Sequence, residues 1–452
     1  MKALLTNFTK LAGSLVFLSL SISFTCLAQN QLTTSDKKVA AEMKTVLLDK
    51  ILYKWYPAII DSVNGGFYTN FSYDWKRMPF QEKMIVTQAR DIWTACKGAE
   101  RFPNDKRYLS AAEHGFNFLS NTMWDKSEGG FFTYANQKSI TSTWDCKNTY
   151  GNGFALYALA AYYKVSHKPK TLELAKRTFY WLDSVAHDAK YGGYFNFLCK
   201  PKSKAEGGMD SIKDFNSSIH IMEALAELYQ VWPDNKVKAR LSEMLTLIRD
   251  TFTSPKGYLQ LYFTADWKHL SLCDSSEDKI RKYLDMDHVS FGHDIETAFL
   301  LLETSKSLGL AHDTLTLKIA KRMVDHTLAQ GFDKHYQGIF DGGYYFKGST
   351  STTIVLKDKN WWSQAEGLNA LLLFSKLYPN NPLYKQAFYQ LWDYVKKNLI
   401  DYEHGDWYSS GLDSNPDVKL QPKASAWKCN YHTGRALMNC IDMLDGKDIL
   451  GE

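Results

Sequence analysis

The feature that most restricts what this chain can fold into is a glycine–aromatic signature that returns at a near-constant interval. Gly65-Gly66-Phe67-Tyr68 recurs as Gly129-Gly130-Phe131-Phe132 and as Gly192-Gly193-Tyr194-Phe195. Weaker copies are Gly257-Tyr258, Gly342-Gly343-Tyr344-Tyr345 and Gly405-Asp406-Trp407-Tyr408. The interval is about 64 residues, apart from one longer step before Gly342. Between the copies, residues 153–163, 171–185, 219–229 and 366–377 carry apolar side chains at helical spacing. A unit of two amphipathic helices and one tight turn is a helical hairpin. Six such hairpins closed on themselves make an (α/α)6 barrel. The glycines supply φ > 0 in the turns, and the aromatics after them form short strand segments over one end. An open solenoid is the competing arrangement. Six units complete one ring and no polar capping repeat is present, which favours closure. No Pro/Ser-rich linker interrupts residues 29–452, so the expectation is one all-α domain.

Residues 1–28 read as a cleavable signal peptide. Lys2 and Lys10 are their only charges, residues 11–24 form a short apolar run, and Cys26-Leu27-Ala28 precedes a cut at Gln29. That run is short and serine-rich for an anchor, and no later one is long enough to span a bilayer. The expected location is therefore the periplasm. Without Lys2 and Lys10, the 54 basic residues become 52 against 49 acidic ones, mixed along the chain. This balance leaves no basic stripe for nucleic acid. The 13 tryptophans and 27 tyrosines suit the apolar faces of sugar rings better. Cys96, Cys146, Cys199, Cys273, Cys429 and Cys440 follow the signal, and none forms a Cys-x-x-Cys pair. They read as mostly buried free thiols with room for one disulfide, and not as a zinc or redox site. No glycine loop of the phosphate-cradling kind is visible, so neither metal nor nucleotide is expected. A monomer or weak homodimer is the expected state.

Five stretches put polar residues where helix periodicity asks for apolar ones. In residues 290–301, His293 and Glu296 share one helical face just after Gly292. Arg90 lies on an otherwise small and apolar helix, so it either pairs with a carboxylate or faces a cavity. Asn216, His220 and Glu223 stand at i, i+4 and i+7. Trp361-Trp362 opens another helix, with Glu366 four residues after the second indole. His432 sits near a helix start, with Arg435 one turn on. Each alone has an ordinary structural reading, as a core histidine, an acidic first turn or aromatic core. Their weight lies in the conjunction. In an (α/α)6 barrel alternate helices line an inner ring, and residues near one end converge on one pocket. Three histidines, two carboxylates, an arginine and indoles in one cleft suit proton transfer on a sugar. Tyr150 is a weaker candidate for the same pocket.

The ordered set Ala89-Arg90, Asn216-x-x-x-His220, Phe291-Gly292-His293-Asp294-Ile295-Glu296, Trp361-Trp362-x-Gln364-Ala365-Glu366 and Trp427-Lys428-Cys429-x-Tyr431-His432 resembles the N-acylglucosamine 2-epimerase superfamily. Within it the set is most similar to the cellobiose and mannobiose 2-epimerases, over nearly all of residues 29–452. The resemblance implies an (α/α)6 barrel and epimerisation without metal or cofactor at C2 of the reducing-end sugar of a β-1,4 disaccharide. It implies His293 and His432 as the acid/base pair and His220 as an assistant in proton handling. Arg90, Glu296, Trp362 and Glu366 are then essential pocket residues. Phe299 stands where the family carries a tryptophan that touches the sugar, and Asn430 where it carries a proline.

Epimerisation at C2 needs the sugar to open to its aldehyde, which acidifies the C2 proton, and two titratable groups flanking that carbon. On this reading Arg90 stabilises the oxyanion of the enediolate. Glu296 orients His293 or raises its basicity, Trp362 stacks on the sugar, and Glu366 binds a hydroxyl. Asn216, Tyr150, Phe299 and Trp427 complete the pocket. An aldose–ketose isomerase acting on mannose and an N-acylglucosamine 2-epimerase are alternatives within the superfamily. An (α/α)6 glycoside hydrolase with paired carboxylates is a different class. A non-catalytic sugar-binding protein would have no use for three pocket histidines.

Overall fold

The computed structural model describes residues 34–141, 146–199, 212–310 and 312–450. The expected signal peptide, residues 1–28, lies outside the described residues. Six helices form an inner ring: α2 (Ile85–Arg101), α4 (Thr149–Ser166), α6 (Phe215–Val231), α8 (Phe291–Ser307), α10 (Trp361–Leu377) and α12 (Tyr431–Leu444). Each packs on the next, and α12 packs back on α2. The ring is therefore closed, an (α/α)6 barrel and not an open solenoid.

Six outer helices back it: α1 (Thr34–Thr45), α3 (Lys106–Phe118), α5 (Pro169–Val185), α7 (Asn235–Leu247), α9 (Thr314–Gln330) and α11 (Pro382–Asn398). α1 runs on through Val46–Leu52 into Tyr53–Ala58 and packs on α12. The first and last helices thus complete the sixth hairpin together.

Composition separates the two rings. α4 is buried from Thr149 to Tyr162 and α10 from Ser363 to Ser375, as helices that are apolar all round must be. The outer helices are amphipathic and start at polar caps. Asp105, Asp234, Asp313 and Asn381 accept backbone N–H groups at the starts of α3, α7, α9 and α11. Among the described residues no helix is long and apolar enough to cross a membrane.

The glycine–aromatic turns recur as antiparallel bridges after each outer helix: Ile60 with Phe67, Trp124 with Phe131, His187 with Tyr194, Thr253 with Leu259, Phe332 with Ile339 and Ile400 with Trp407. Gly65 and Gly66 take φ of +79° and +68°, a conformation that an L side chain strains to adopt. One copy in the sequence reading is misplaced. The fifth turn is at Gly338, with φ +82°, whereas Gly342-Gly343 begin a strand. An extra hairpin follows the fifth turn directly, and its glycines imitate the signature.

Among the described residues, nine short strands sit at the end where the inner helices begin. β1 (Lys83–Met84) pairs with β2 (Tyr134–Ala135), and β3 (Cys146–Asn148) with β4 (Phe197–Cys199). β5 (Ile212–Asp214) pairs with β6 (Tyr262–Thr264), and β7 (Val289–Ser290), β8 (Gly342–Tyr344) and β9 (Thr353–Leu356) form a triplet. All pairs are antiparallel, and the β3–β4 register sets Cys146 opposite Cys199. Cys96, Cys429 and Cys440 are buried free thiols, and Cys273 is free and exposed.

Lysines, all buried but the half-buried Lys147, pin five of the six turns to the next inner helix. Lys83, Lys147, Lys213, Lys359 and Lys423 reach Asp61, Asp125, Asp188, Asp333 and Asp401 at 2.8, 2.9, 2.8, 2.7 and 2.6 Å. The fourth repeat has Ser254 and Val289 at these two places, both buried. Neither charge appears there without the other, as expected where an unpaired buried charge is strongly destabilising.

Candidate active site

All the polar residues singled out on the inner helices except Glu223, the ninth residue of α6, fall in their first two turns, so they converge at the strand-bearing end of the barrel. His293 is the third residue of α8, Trp362 the second of α10 and His432 the second of α12. The Trp362 indole neighbours both imidazoles, with ring centroids 4.5 Å from His293 and 5.9 Å from His432. Gly292 makes this possible, because a Cβ there would lie 2.6 Å from the indole.

Each histidine is anchored through Nδ1. His293 Nδ1 bonds Ser290 Oγ at 2.7 Å, His432 Nδ1 bonds Glu366 Oε1 at 2.7 Å, and His220 Nδ1 bonds Glu223 Oε2 at 2.8 Å. A carboxylate partner makes Nδ1 the donor in His432 and His220, which leaves Nε2 with the lone pair. Burial holds the His293 imidazole well below its ordinary pKa, with His220, His288 and His432 adding to it. Burial does the same to His432, helped by Arg90 and Arg435.

Beneath the imidazoles lies a charge cluster built on Arg435, a residue the sequence reading noted but did not place in the site. The Arg435 guanidinium bonds Glu223 through Nη1, and its Nη2 reaches Glu296 at 2.5 Å and Glu366 at 2.7 Å. Tyr431 donates to Glu223 at 2.5 Å. Burial alone would raise Glu223, but Arg435 and the His220 hydrogen bond hold it at about 2. Glu296 goes the other way, to about 7, because of burial and the nearby Glu366. Burial also raises Glu366, against the pull of Arg435. The available signal was phase: Arg435 follows His432 by three residues, as Glu296 follows His293.

That cluster corrects the role expected of Glu296. Glu296 does not orient His293; it is bonded to Arg435 and lies 3.9 Å from His432 Nδ1. The same spacing lets Glu223 reach His220 Nδ1, but His293 Nδ1 is already held by Ser290, and Glu296 turns to Arg435 instead. Glu366, expected to bind a hydroxyl, spends Oε1 on His432 and Arg435, which leaves Oε2 unpartnered among the described residues. Glu296, Glu366 and His432 also form a triad with metal-ligand spacing. The Arg435 Nη2 already bonds the Oε1 atoms of both carboxylates, and so supplies the positive charge that a cation would bring there.

Arg90 is enclosed by aromatic rings. It has no ion-pair partner among the described residues; it donates to the Tyr150 hydroxyl at 2.8 Å and lies over the rings of Phe154 and Tyr431. Tyr150 is pushed up to about 12 by burial, and Asn216 hydrogen-bonds its side chain. Trp427 is 55 % exposed, with its ring centroid 6.4 Å from that of Tyr150, which makes it a rim residue. Phe299, three residues beyond Glu296, is 3 % exposed and belongs to the core cluster.

Asp294, between the two motif residues, does a different job. Its Oδ1 accepts the Leu259 N–H at 2.8 Å. Gln88, Asn152 and Gln364 accept the N–H of Phe67, Phe131 and Ile339 from the same fourth position of their own helices. Asp294 is thus the fourth repeat's turn anchor, and burial pushes its carboxyl well above the usual range.

Comparison with known proteins agrees over the full barrel. The family model of N-acylglucosamine 2-epimerase (GlcNAc 2-epimerase) matches residues 66–436. A cellobiose 2-epimerase of Bacteroides fragilis is 27 % identical over 416 residues, covering 90 % of this chain and 99 % of that protein. A D-mannose isomerase of Marinomonas mediterranea is 24 % identical over 412 residues, covering 90 % and 98 %. The solved structure of cellobiose 2-epimerase from Spirochaeta thermophila superposes with a TM-score of 0.76 at 26 % identity, covering 92 % of this chain and 99 % of that one.

Proposed function

The chain belongs to the N-acylglucosamine 2-epimerase family, and we propose that it inverts C2 of the reducing-end aldose of a cellobiose-type β-1,4 disaccharide through an enediolate. What carries this reading is the pair of imidazoles that neighbour the Trp362 indole, each tied down at Nδ1. With Nδ1 engaged, each ring keeps Nε2 for the substrate, and a sugar stacked on Trp362 would hold C2 between them.

His220, held by Glu223, moves the proton that opens the ring. The aldehyde then makes the C2 proton acidic. Arg90, in its aromatic box, stabilises the oxygen that gains charge as that proton leaves. In one direction His293 takes the C2 proton, and His432, protonated, returns one to the opposite face. In the reverse direction the two exchange roles. Glu296 titrates near neutrality and lies 3.9 Å from His432 Nδ1, a proton source beside the imidazole that must be charged. Tyr150, Asn216 and Trp427 line the approach to the second sugar.

The named relatives support the substrate class and also a second reading. An aldose–ketose isomerase shares every step to the enediolate and differs only in reprotonating C1. A hydrolase fits less well. Glu296 and Glu366 meet on one guanidinium nitrogen, whereas a glycosidase pair faces a bond from two sides. A signal peptide at residues 1–28 would put the reaction outside the cytoplasm. Incubation with cellobiose, mannose and N-acetylglucosamine tests the reading by product analysis. Expected is a glucosyl-mannose of unchanged mass from cellobiose. Fructose from mannose in its place supports the isomerase, and release of glucose overturns both.

A further inference from the structure

The barrel has a second opening. At the end opposite the imidazoles, the C-terminal turns of the inner helices surround a cavity of 790 Å³, a size typical of small-molecule sites. Glu303 in its wall lies ten residues beyond His293 on α8, about 15 Å down the barrel axis. Six basic and five acidic side chains line this basin, so it has almost no net charge. Most of them are spent on one another: Lys97 bonds Glu227 at 2.9 Å, and Arg101 grips Asp442 with two hydrogen bonds of 2.8 and 2.9 Å.

What is left over is chemically mixed. Trp93 is 5 % exposed and Arg435 3 % exposed, and both line the basin. The indole Nε1 of the one and the guanidinium Nε of the other have no partner among the described residues. Both atoms are enclosed by the wall and do not open onto the basin. Trp93 is held in place by stacking on Tyr157, ring centroids 5.3 Å apart and planes 17° from parallel. On the acceptor side the Glu303 carboxyl has no hydrogen bond or ion pair among the described residues. Burial, then Glu223 and Glu227, push it up to about 7, so near neutrality it presents an O–H as well as an acceptor oxygen. Gln230 and Asn439 add amides of both polarities.

We propose that this basin is a second ligand site, built for a small uncharged polyhydroxy molecule of monosaccharide size, with the Glu303 carboxyl as its fixed contact and the amides of Gln230 and Asn439 beside it. An anion would meet Glu100, Glu227 and Asp442 and the negative ends of the inner helices, and a cation would meet Lys97, Lys164 and Lys306. A polyol donates and accepts at several points and brings no charge to desolvate, which matches what the wall offers.

Met438 lines the basin and reports on it. The full-length enzyme labelled with ¹³C-methyl methionine is titrated with sorbitol and with methyl α-D-glucopyranoside, neither of which has an aldehyde to open to. The Met438 resonance is assigned by Met438→Leu. The expected result is a saturable shift of that resonance, with affinity weakened about tenfold in Glu303→Leu and in the exposed Gln230→Leu. A shift that stays linear to the solubility of both probes overturns the proposal. So does a saturable shift unaffected by both substitutions, because binding is then elsewhere, the catalytic end included. Gln230→Leu is a surface change, so the test survives a failure of the Glu303 variant to fold. Failure here leaves the proposed C2 chemistry untouched, since that chemistry is read from sugar products and not from Met438.

Discussion

His293 and His432 are both held below the ordinary imidazole range by burial, and this fixes the sign of two pH effects. Both are neutral in the empty site at pH values where a free histidine is half charged. The acid limb of kcat/KM on cellobiose is therefore expected below about pH 6.5, and a limb centred at or above that value would contradict the assignment. The unfolded chain takes up these protons first as the pH falls. The stability they contribute is thus present above about pH 6.5 and is lost progressively below it. Phe299 bears on affinity and not on proton transfer. If it borders the sugar, Phe299→Trp lowers KM and leaves kcat within about twofold; an unchanged KM assigns Phe299 to the core alone. At this scale the sequence was legible where a polar side chain broke an apolar helix, as His220, His293 and Glu366 do. It was not legible for Arg435, whose importance comes from three glutamates on three other helices. Nor could it give Glu296 its partner, because spacing along one helix says nothing about a neighbour across the barrel.

The elements carry their own evidence in repetition. Five turns are pinned by a lysine–aspartate pair, and the fourth, with Ser254 and Val289, shows what the barrel accepts in its place. Lys83→Val alone leaves Asp61 buried without its partner and is expected to destabilise by about 3–5 kcal/mol. The double change Asp61→Ser with Lys83→Val copies the fourth repeat and should recover most of that loss. A denaturation cycle measures this, and purely additive effects would contradict the pairing. Asp294 supplies a second test. Its carboxyl is raised, so the folded state holds a proton that the unfolded state has lost. Its contribution is fully present below about pH 4 and declines as the pH rises toward the folded value. Asp294→Asn keeps the acceptor for Leu259 without that penalty. It should raise Tm, by more at pH 8 than at pH 5, and a gain that shrinks with pH would refute the turn-anchor role. Helix spacing and turn glycines were legible here. The lysine pins were not, because lysine in a sequence reads as surface, and the fifth turn was misread because an inserted hairpin carried a better glycine pair than the turn itself.

For the whole molecule, closure is what gives the site its meaning. The hairpin count predicts one ring, and the packing of α12 on both α1 and α2 completes it. Closure gathers first-turn residues from six helices at one mouth and last-turn residues at the other. The catalytic end and the far basin follow from one architecture, although only the first could be foreseen. The far basin is built from lysines, arginines and glutamates in helix C-terminal turns, and such residues are expected there in any soluble helix. The central claim, that His293 and His432 exchange the C2 proton of an opened sugar, is tested most directly by turnover of cellobiose in D₂O with wild type, His293→Asn and His432→Asn. The account predicts one deuterium at C2 of the wild-type epimer and a fall in turnover of about 10²–10⁴ in each variant, with folding intact by circular dichroism. An epimer formed without deuterium at C2, or wild-type turnover in both variants, would contradict it.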